Sequence, residues 1–146
     1  MEKNLLSPCG LYCGVCAIRT AYLSGKPTFI AAIAKAYSVN PEKVKCEGCL
    51  SEAPFVYCAV CPIKSCARNK GLEGCYLCGD WPCDTVEQFP FDQARREIKR
   101  AIPIWRKLGT EKWIEHETTL YVCKSCGARL FRGARRCHEC GADWVR

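Results

Sequence analysis

The sequence predicts a small α+β fold in three parts: an irregular cysteine-rich module with helices over residues 1–90, a helical connector over 91–118, and a C-terminal β module over 119–146. Three observations carry this. Fifteen of the 146 residues are cysteine, and eleven of those crowd into 9–83. None falls between 84 and 122, where apolar residues recur at helical spacing instead. The last four cysteines form two C-x2-C pairs with a ten-residue spacer, long enough for a hairpin. The apolar content of 49% is inflated by cysteine, and so short a chain with so thin a core needs covalent or metal staples.

The staple is expected to be metal. Residues Met1 to Pro8 contain no apolar run of the signal-peptide kind, no stretch is long enough for a membrane span, and the expected location is cytoplasmic. The cysteine count is odd and most cysteines sit in C-x2-C pairs, which in a cytosolic chain points to metal rather than to disulfides.

Taken in order, the first helix is expected where Phe29, Ile30, Ile33, Ala34 and Tyr37 form a stripe, opened by Pro27 and stopped by Asn40-Pro41. The connector helix runs from Asp92 as cap, with Ala94, Ile98, Ala101 or Ile102, Trp105 and Leu108 on one face. Gly109 ends it, and Pro103 is expected to kink or split it. Its other face carries Arg95, Arg96, Lys99, Arg100, Arg106 and Lys107, which reads as a solvated surface. A short third helix is expected from Thr110 as cap to Glu117.

Among the eleven N-terminal cysteines, Cys46-x2-Cys49 and Cys75-x2-Cys78 read as zinc knuckles. Cys58-x2-Cys61-x4-Cys66 repeats its spacing 17 residues later as Cys75-x2-Cys78-x4-Cys83, suggesting two similar loops around shared or neighbouring metals. Cys9-x3-Cys13-x2-Cys16 has the spacing of radical S-adenosylmethionine enzymes, but that chemistry needs a barrel of roughly 200 residues or more, and no βα repeat is visible. Eleven thiols make two sites of four with three over. Asp80, Asp84 and His116 are candidates to complete a third. Zinc is expected in this module, and a 4Fe-4S cluster is the alternative.

The C-terminal set, Cys123-x2-Cys126-x10-Cys137-x2-Cys140, is a zinc ribbon by spacing. Each pair puts two sulfurs on one turn, four thiolates close the site, and Gly127 and Gly141 supply turns that need φ > 0. Leu120-Tyr121-Val122 and Asp143-Trp144-Val145 are its expected strands. His138, between two ligands, has no partner in sequence and reads as idle.

The whole formal excess of +7 lies in residues 93–146, which hold 13 basic and 6 acidic groups, while 1–92 balance. A four-thiolate site around a divalent ion carries a net charge of about −2 that this formal count omits, so metallation makes the chain less basic than its composition suggests. The C-terminal hairpin concentrates Arg129, Phe131, Arg132, Arg135 and Arg136. Arginines around an aromatic suit phosphate contact with base stacking, so nucleic acid is one candidate partner.

The segments CGLYCGVC at Cys9–Cys16, KCEGC at Lys45–Cys49, the C-x2-C-P-I-K-S-C-A run from Cys58, and Trp81-Pro82-Cys83 together resemble a cysteine-rich bacterial and archaeal family of unknown function. Longer members share the Leu108-Gly109-x3-Trp113-Ile114-x-His116 stretch and a terminal ribbon. The resemblance implies that all eleven N-terminal cysteines occupy family positions, which favours ligation; it implies no activity. With two histidines, no Ser–His–Asp set and no phosphate-binding glycine loop, the chain reads as a metal-stapled binding or scaffold module with a protein partner rather than as a conventional enzyme; an iron–sulfur or labile-metal redox protein and a nucleic-acid-binding zinc-ribbon protein are the alternatives.

Overall fold

The computed structural model describes residues 3–146. The chain is built from short helices and turns. Helix α1 (Ala17–Ser24) and helix α2 (Pro27–Tyr37) pair through their apolar sides. Pro27 opens α2 as expected, and Ser38, left-handed at φ 54°, closes it. Helix α3 (Val56–Ala59) and helix α4 (Pro62–Asn69) follow, then helix α5 (Asp84–Glu87). Two long helices come last, α6 (Asp92–Leu108) and α7 (Thr110–Leu120), joined by Gly109 alone.

Helix α6 is one continuous element of 17 residues with Pro103 inside it. The expected split does not occur. Pro103 deprives only the Lys99 carbonyl of its partner, and both residues lie on the exposed side, where water can replace the missing amide. The opposite face buries Ile98, Ala101, Ile102 and Trp105. Helix α7 extends three residues past the expected end, so Leu120 finishes a helix rather than starting a strand.

The core is organised around an aromatic stack. Trp105 of α6 lies flat on Trp113 of α7, with centroids 4.2 Å apart and planes 9° apart. Tyr76 covers the other face of Trp105 at 4.2 Å, and Tyr12 meets Trp113 edge-on at 5.8 Å. Both tryptophans are fully buried. This core draws on all three stretches of the chain, from Leu5 and Ile63 through α6 to Leu130 and Trp144. A second, smaller cluster beneath α1 and α2 holds Ile18, Ile33, Val44, Cys46 and Phe55, with Cys16 and Cys58 at its edge.

Among the described residues there is no strand and no sheet, so the expected α+β class and the β zinc ribbon are both overturned. Two isolated bridges, Val122↔Arg129 and Arg136↔Asp143, are all that forms. The physical reason lies in the spacer. Each C-x2-C turn folds back on its own flanks, so the ten residues between them are used up in two separate closures. Leu130 donates its amide to Tyr121 and Trp144 donates to Arg135. Between these closures the chain turns inward rather than pairing: the Arg132 amide donates to the Val15 carbonyl, and Phe131 packs on Phe29 at 4.8 Å.

An ionic chain built on the buried Glu97 and Glu117 ties Arg146 to the helices. Glu117 is fully buried and receives both Nη groups of Arg100 at 2.8 Å. Arg100 Nε reaches Glu97 at 3.0 Å, and Arg146 reaches the two Glu97 oxygens at 2.7 and 2.6 Å. Burial alone would raise the Glu97 carboxyl, but the hydrogen bonds from Arg146 and Arg100 outweigh it and hold it down to about 2. The face expected to be merely solvated thus contributes Arg100 to the interior.

Candidate metal centre

The C-terminal module brings its four thiols to one point. The Cys123 amide donates to Ala128, and the Gly127 amide folds back to the Cys123 carbonyl at 2.8 Å. The second knuckle repeats this through Cys137, Ala142 and Gly141. Gly127 and Gly141 are left-handed at φ 77° and 72°, the conformation that the tight turns require. The Cys123 and Cys140 sulfurs are 3.7 Å apart, those of Cys126 and Cys137 are 3.6 Å apart, and all four lie within 4.8 Å of one another. Four sulfurs bonded to one zinc at about 2.3 Å stand about 3.8 Å from each other. The spacing can accommodate a single tetrahedral ion.

The electrostatics agree. The amides of Cys126 and Ser125 point at the Cys123 sulfur and lower its pKa from 9.0 to about 6. A hydrogen bond from the Ala128 amide favours the Cys126 thiolate too, but burial and the three neighbouring sulfurs outweigh it and push Cys126 up to about 12. Four thiolates cannot share this space without a cation between them. Cys123 and Cys137 are buried, Cys126 and Cys140 exposed. His138 stands exposed beside Glu139 at 3.4 Å.

Nine of the eleven N-terminal thiols fall into two neighbourhoods. In the first, the Cys49 amide donates to the Cys13 sulfur at 3.3 Å, across 36 residues. Cys49 and Cys58 share a sulfur hydrogen bond, and Cys16 and Cys46 are close enough to perturb Cys13 and Cys58. That hydrogen bond, together with the Lys64 and Arg68 charges, brings Cys49 down to about 7 against the opposing effect of burial. The same bond, with burial, drives Cys58 up. In the second neighbourhood Cys66, Cys75, Cys78 and Cys83 line a single cavity of about 150 Å³. Burial and the nearby Cys9, Cys83, Cys78 and Cys66 push Cys75 up to about 12. Cys9, beside Ser7 Oγ at 3.5 Å, is perturbed by Cys49 and Cys61 and lies between the two groups; burial raises it to about 11. No disulfide joins any of the 15 cysteines.

The repeated spacing does not produce equivalent loops. Cys58 is in α3, Cys61 precedes α4 and Cys66 is inside it, whereas Cys75 opens a 3-10 turn and Cys83 precedes α5. Cys66 joins the second motif instead of completing the first. Of the candidate oxygen and nitrogen ligands, Asp80 lines the cavity but is paired with Lys70 at 2.5 Å, Asp84 is exposed, and His116 sits beside Glu117 at 3.5 Å. Sequence reasoning missed Lys64. It is buried, and its ammonium donates to the Cys49 carbonyl at 3.1 Å. Its signal was a lysine between the buried Ile63 and Ala67 of α4.

The hairpin arginines are not presented as one face. Phe131 is occupied by Phe29, half-buried Arg132 donates to the Tyr12 carbonyl, and Arg136 pairs with Asp143 at 3.0 Å. Arg129 and Arg135 remain exposed.

A family profile described as "Protein of unknown function (DUF3795)" matches residues 5–88. The chain belongs to that family. The DUF3795 segment contains all eleven N-terminal cysteines and both neighbourhoods, while the C-terminal four-cysteine centre lies outside it. No curated protein and no solved structure matches the chain. No helix among the described residues is long and apolar enough to cross a membrane.

Proposed function

We propose that this DUF3795 protein is a metal-binding scaffold in which Cys123, Cys126, Cys137 and Cys140 hold one zinc in a closed structural site. The observation that carries the reading is the mutual spacing of the four sulfurs, all within 4.8 Å of one another, on two turns that each present a pair. Zinc suits an all-thiolate tetrahedron and supplies charge neutralisation and a cross-link between the two turns. The four thiolates fill the coordination shell, so the site has a structural rather than a reactive character. What it stabilises is the inward-turned loop that carries Phe131 and Arg132 onto the N-terminal module. The free energy of such a site is on the order of 10 kcal/mol and counts as folding free energy.

The test is elemental analysis of the full chain beside Cys137→Ser. The wild type is expected to hold one more zinc per chain than the variant. Equal zinc content in the two proteins would sink the assignment.

A further inference from the structure

The cavity lined by Cys66, Cys75, Cys78 and Cys83 lies outside the centre just described, and it does not have single-ion geometry. Among the described residues, the C-terminal set is the only group of three or more candidate ligands whose donor atoms all approach within 4.8 Å. The sulfurs around the cavity are therefore too dispersed for one tetrahedral zinc, whose sulfurs stand about 3.8 Å apart. What separates them is space. The cavity measures about 150 Å³, roughly ten times what one water occupies on the same measure. Beside the cysteines its wall is mostly apolar, from Ile63, Leu72, Trp81 and Val86, with Lys70, Asp80 and Thr85 the polar exceptions.

We propose that Cys66, Cys75, Cys78 and Cys83 hold a four-iron, four-sulfide cluster in this cavity. A cubane cluster takes one thiolate at each of four iron corners, so its ligands surround an inorganic core instead of converging on a point. Here no three of the sulfurs converge within 4.8 Å, and one cavity lies against all four cysteines. Three elements supply the ligands from different directions: α4 gives Cys66, the 3-10 turn Cys75–Leu77 gives Cys75 with Cys78 just after it, and the residue before α5 gives Cys83. The ligand set is held from outside. Arg106 of α6 donates to the Tyr76 carbonyl at 2.8 Å and to the Cys78 carbonyl at 3.0 Å, and the Cys75 amide donates to Pro8 at 2.8 Å. Lys70 brings its ammonium to 3.5 Å from the Cys78 sulfur, opposing the negative charge of a thiolate-ligated cluster.

Assembly balances as follows. Two ferrous ions, two ferric ions and four sulfides combine with four cysteine thiols. Four iron–thiolate bonds form, four S–H bonds break, and the four protons leave to solvent. The product carries a net charge of about −2, thiolates included.

The inference does not depend on the ion at the C-terminal centre. The full chain, purified without oxygen, is incubated with ferrous iron, ferric iron and sulfide, then freed of excess. The expected product is brown and contains about four iron and about four sulfide per chain. Cys66→Ser and Cys83→Ser are each expected to lose most of that iron and colour. Cys137→Ser keeps them while losing its zinc, which separates failure of this proposal from failure of the previous one. A colourless wild-type protein with native helical circular dichroism would overturn the cluster, as would zinc bound in its place. Retention of full colour in Cys66→Ser and Cys83→Ser would overturn the ligand assignment. Because stoichiometry is read on the wild type, a variant that fails to fold does not rescue the idea.

Discussion

At the scale of single residues, the aromatic stack sets the tightest demands. A Cβ added at Gly74 would lie 2.9 Å from one ring carbon of Trp105 and 3.2 Å from the Pro8 carbonyl oxygen. Neither neighbour can give way, because Trp105 is clamped between Tyr76 and Trp113. Gly74→Ala is expected to cost about 1–3 kcal/mol in denaturant unfolding, as overpacking does. An unchanged midpoint would mean that the stack is looser than its distances indicate. Glu97 offers a second test. Its carboxyl is depressed from an ordinary 4.5 to about 2, so it contributes stability in full above about pH 4.5 and loses it as pH falls through about 2. Removing Arg146 takes away two of the hydrogen bonds that hold it down. In Arg146→Ala, carboxyl carbon NMR is expected to place the Glu97 titration closer to 4.5, and no movement would show that Arg100 alone suffices.

At the scale of elements, helix α6 continues through Pro103 because the defect lies on its wet side while Ile98, Ala101, Ile102 and Trp105 anchor the dry one. Replacing Pro103 by Ala restores an amide to an otherwise intact helix. Thermal unfolding is expected to shift upward, by roughly 1–3 kcal/mol less the entropy regained by the unfolded chain. A lower midpoint would mean that the proline ring packs usefully. The C-terminal knuckles teach a related lesson. Two four-residue turns with their closing bonds leave too little of the spacer for strand pairing, so local closure wins over a sheet.

Across the whole molecule, the C-terminal centre and the N-terminal module meet at Phe29–Phe131 and at the Arg132 amide on Val15. Removing the zinc proposed for the C-terminal centre with a chelator is expected to speed hydrogen exchange at the Arg132 amide by about tenfold or more. Amides of α6 around Trp105 should hold, because their burial does not run through the metal. Simultaneous loss of protection at both places would show that the chain unfolds as one unit when the ion leaves.

Composition and spacing by themselves determined that the last four cysteines form one set able to hold a metal ion, and that α2, α6 and α7 are helices. These are local properties: a C-x2-C turn presents two sulfurs wherever it occurs, and an apolar stripe at helical spacing needs only something to face. What the tertiary structure alone decided is which distant residues share a site. The spacing of Cys58–Cys66 equals that of Cys75–Cys83, yet Cys66 leaves its own motif for the other, because α4 carries it there. Arg100 reads as a surface charge until the fold sets it against the buried Glu117, and Lys64, which sequence reasoning missed, is buried against Cys49. The absence of a ribbon among the described residues has the same origin. Strand pairing depends on what the spacer meets, and here it meets Val15 and Phe29 before it meets itself.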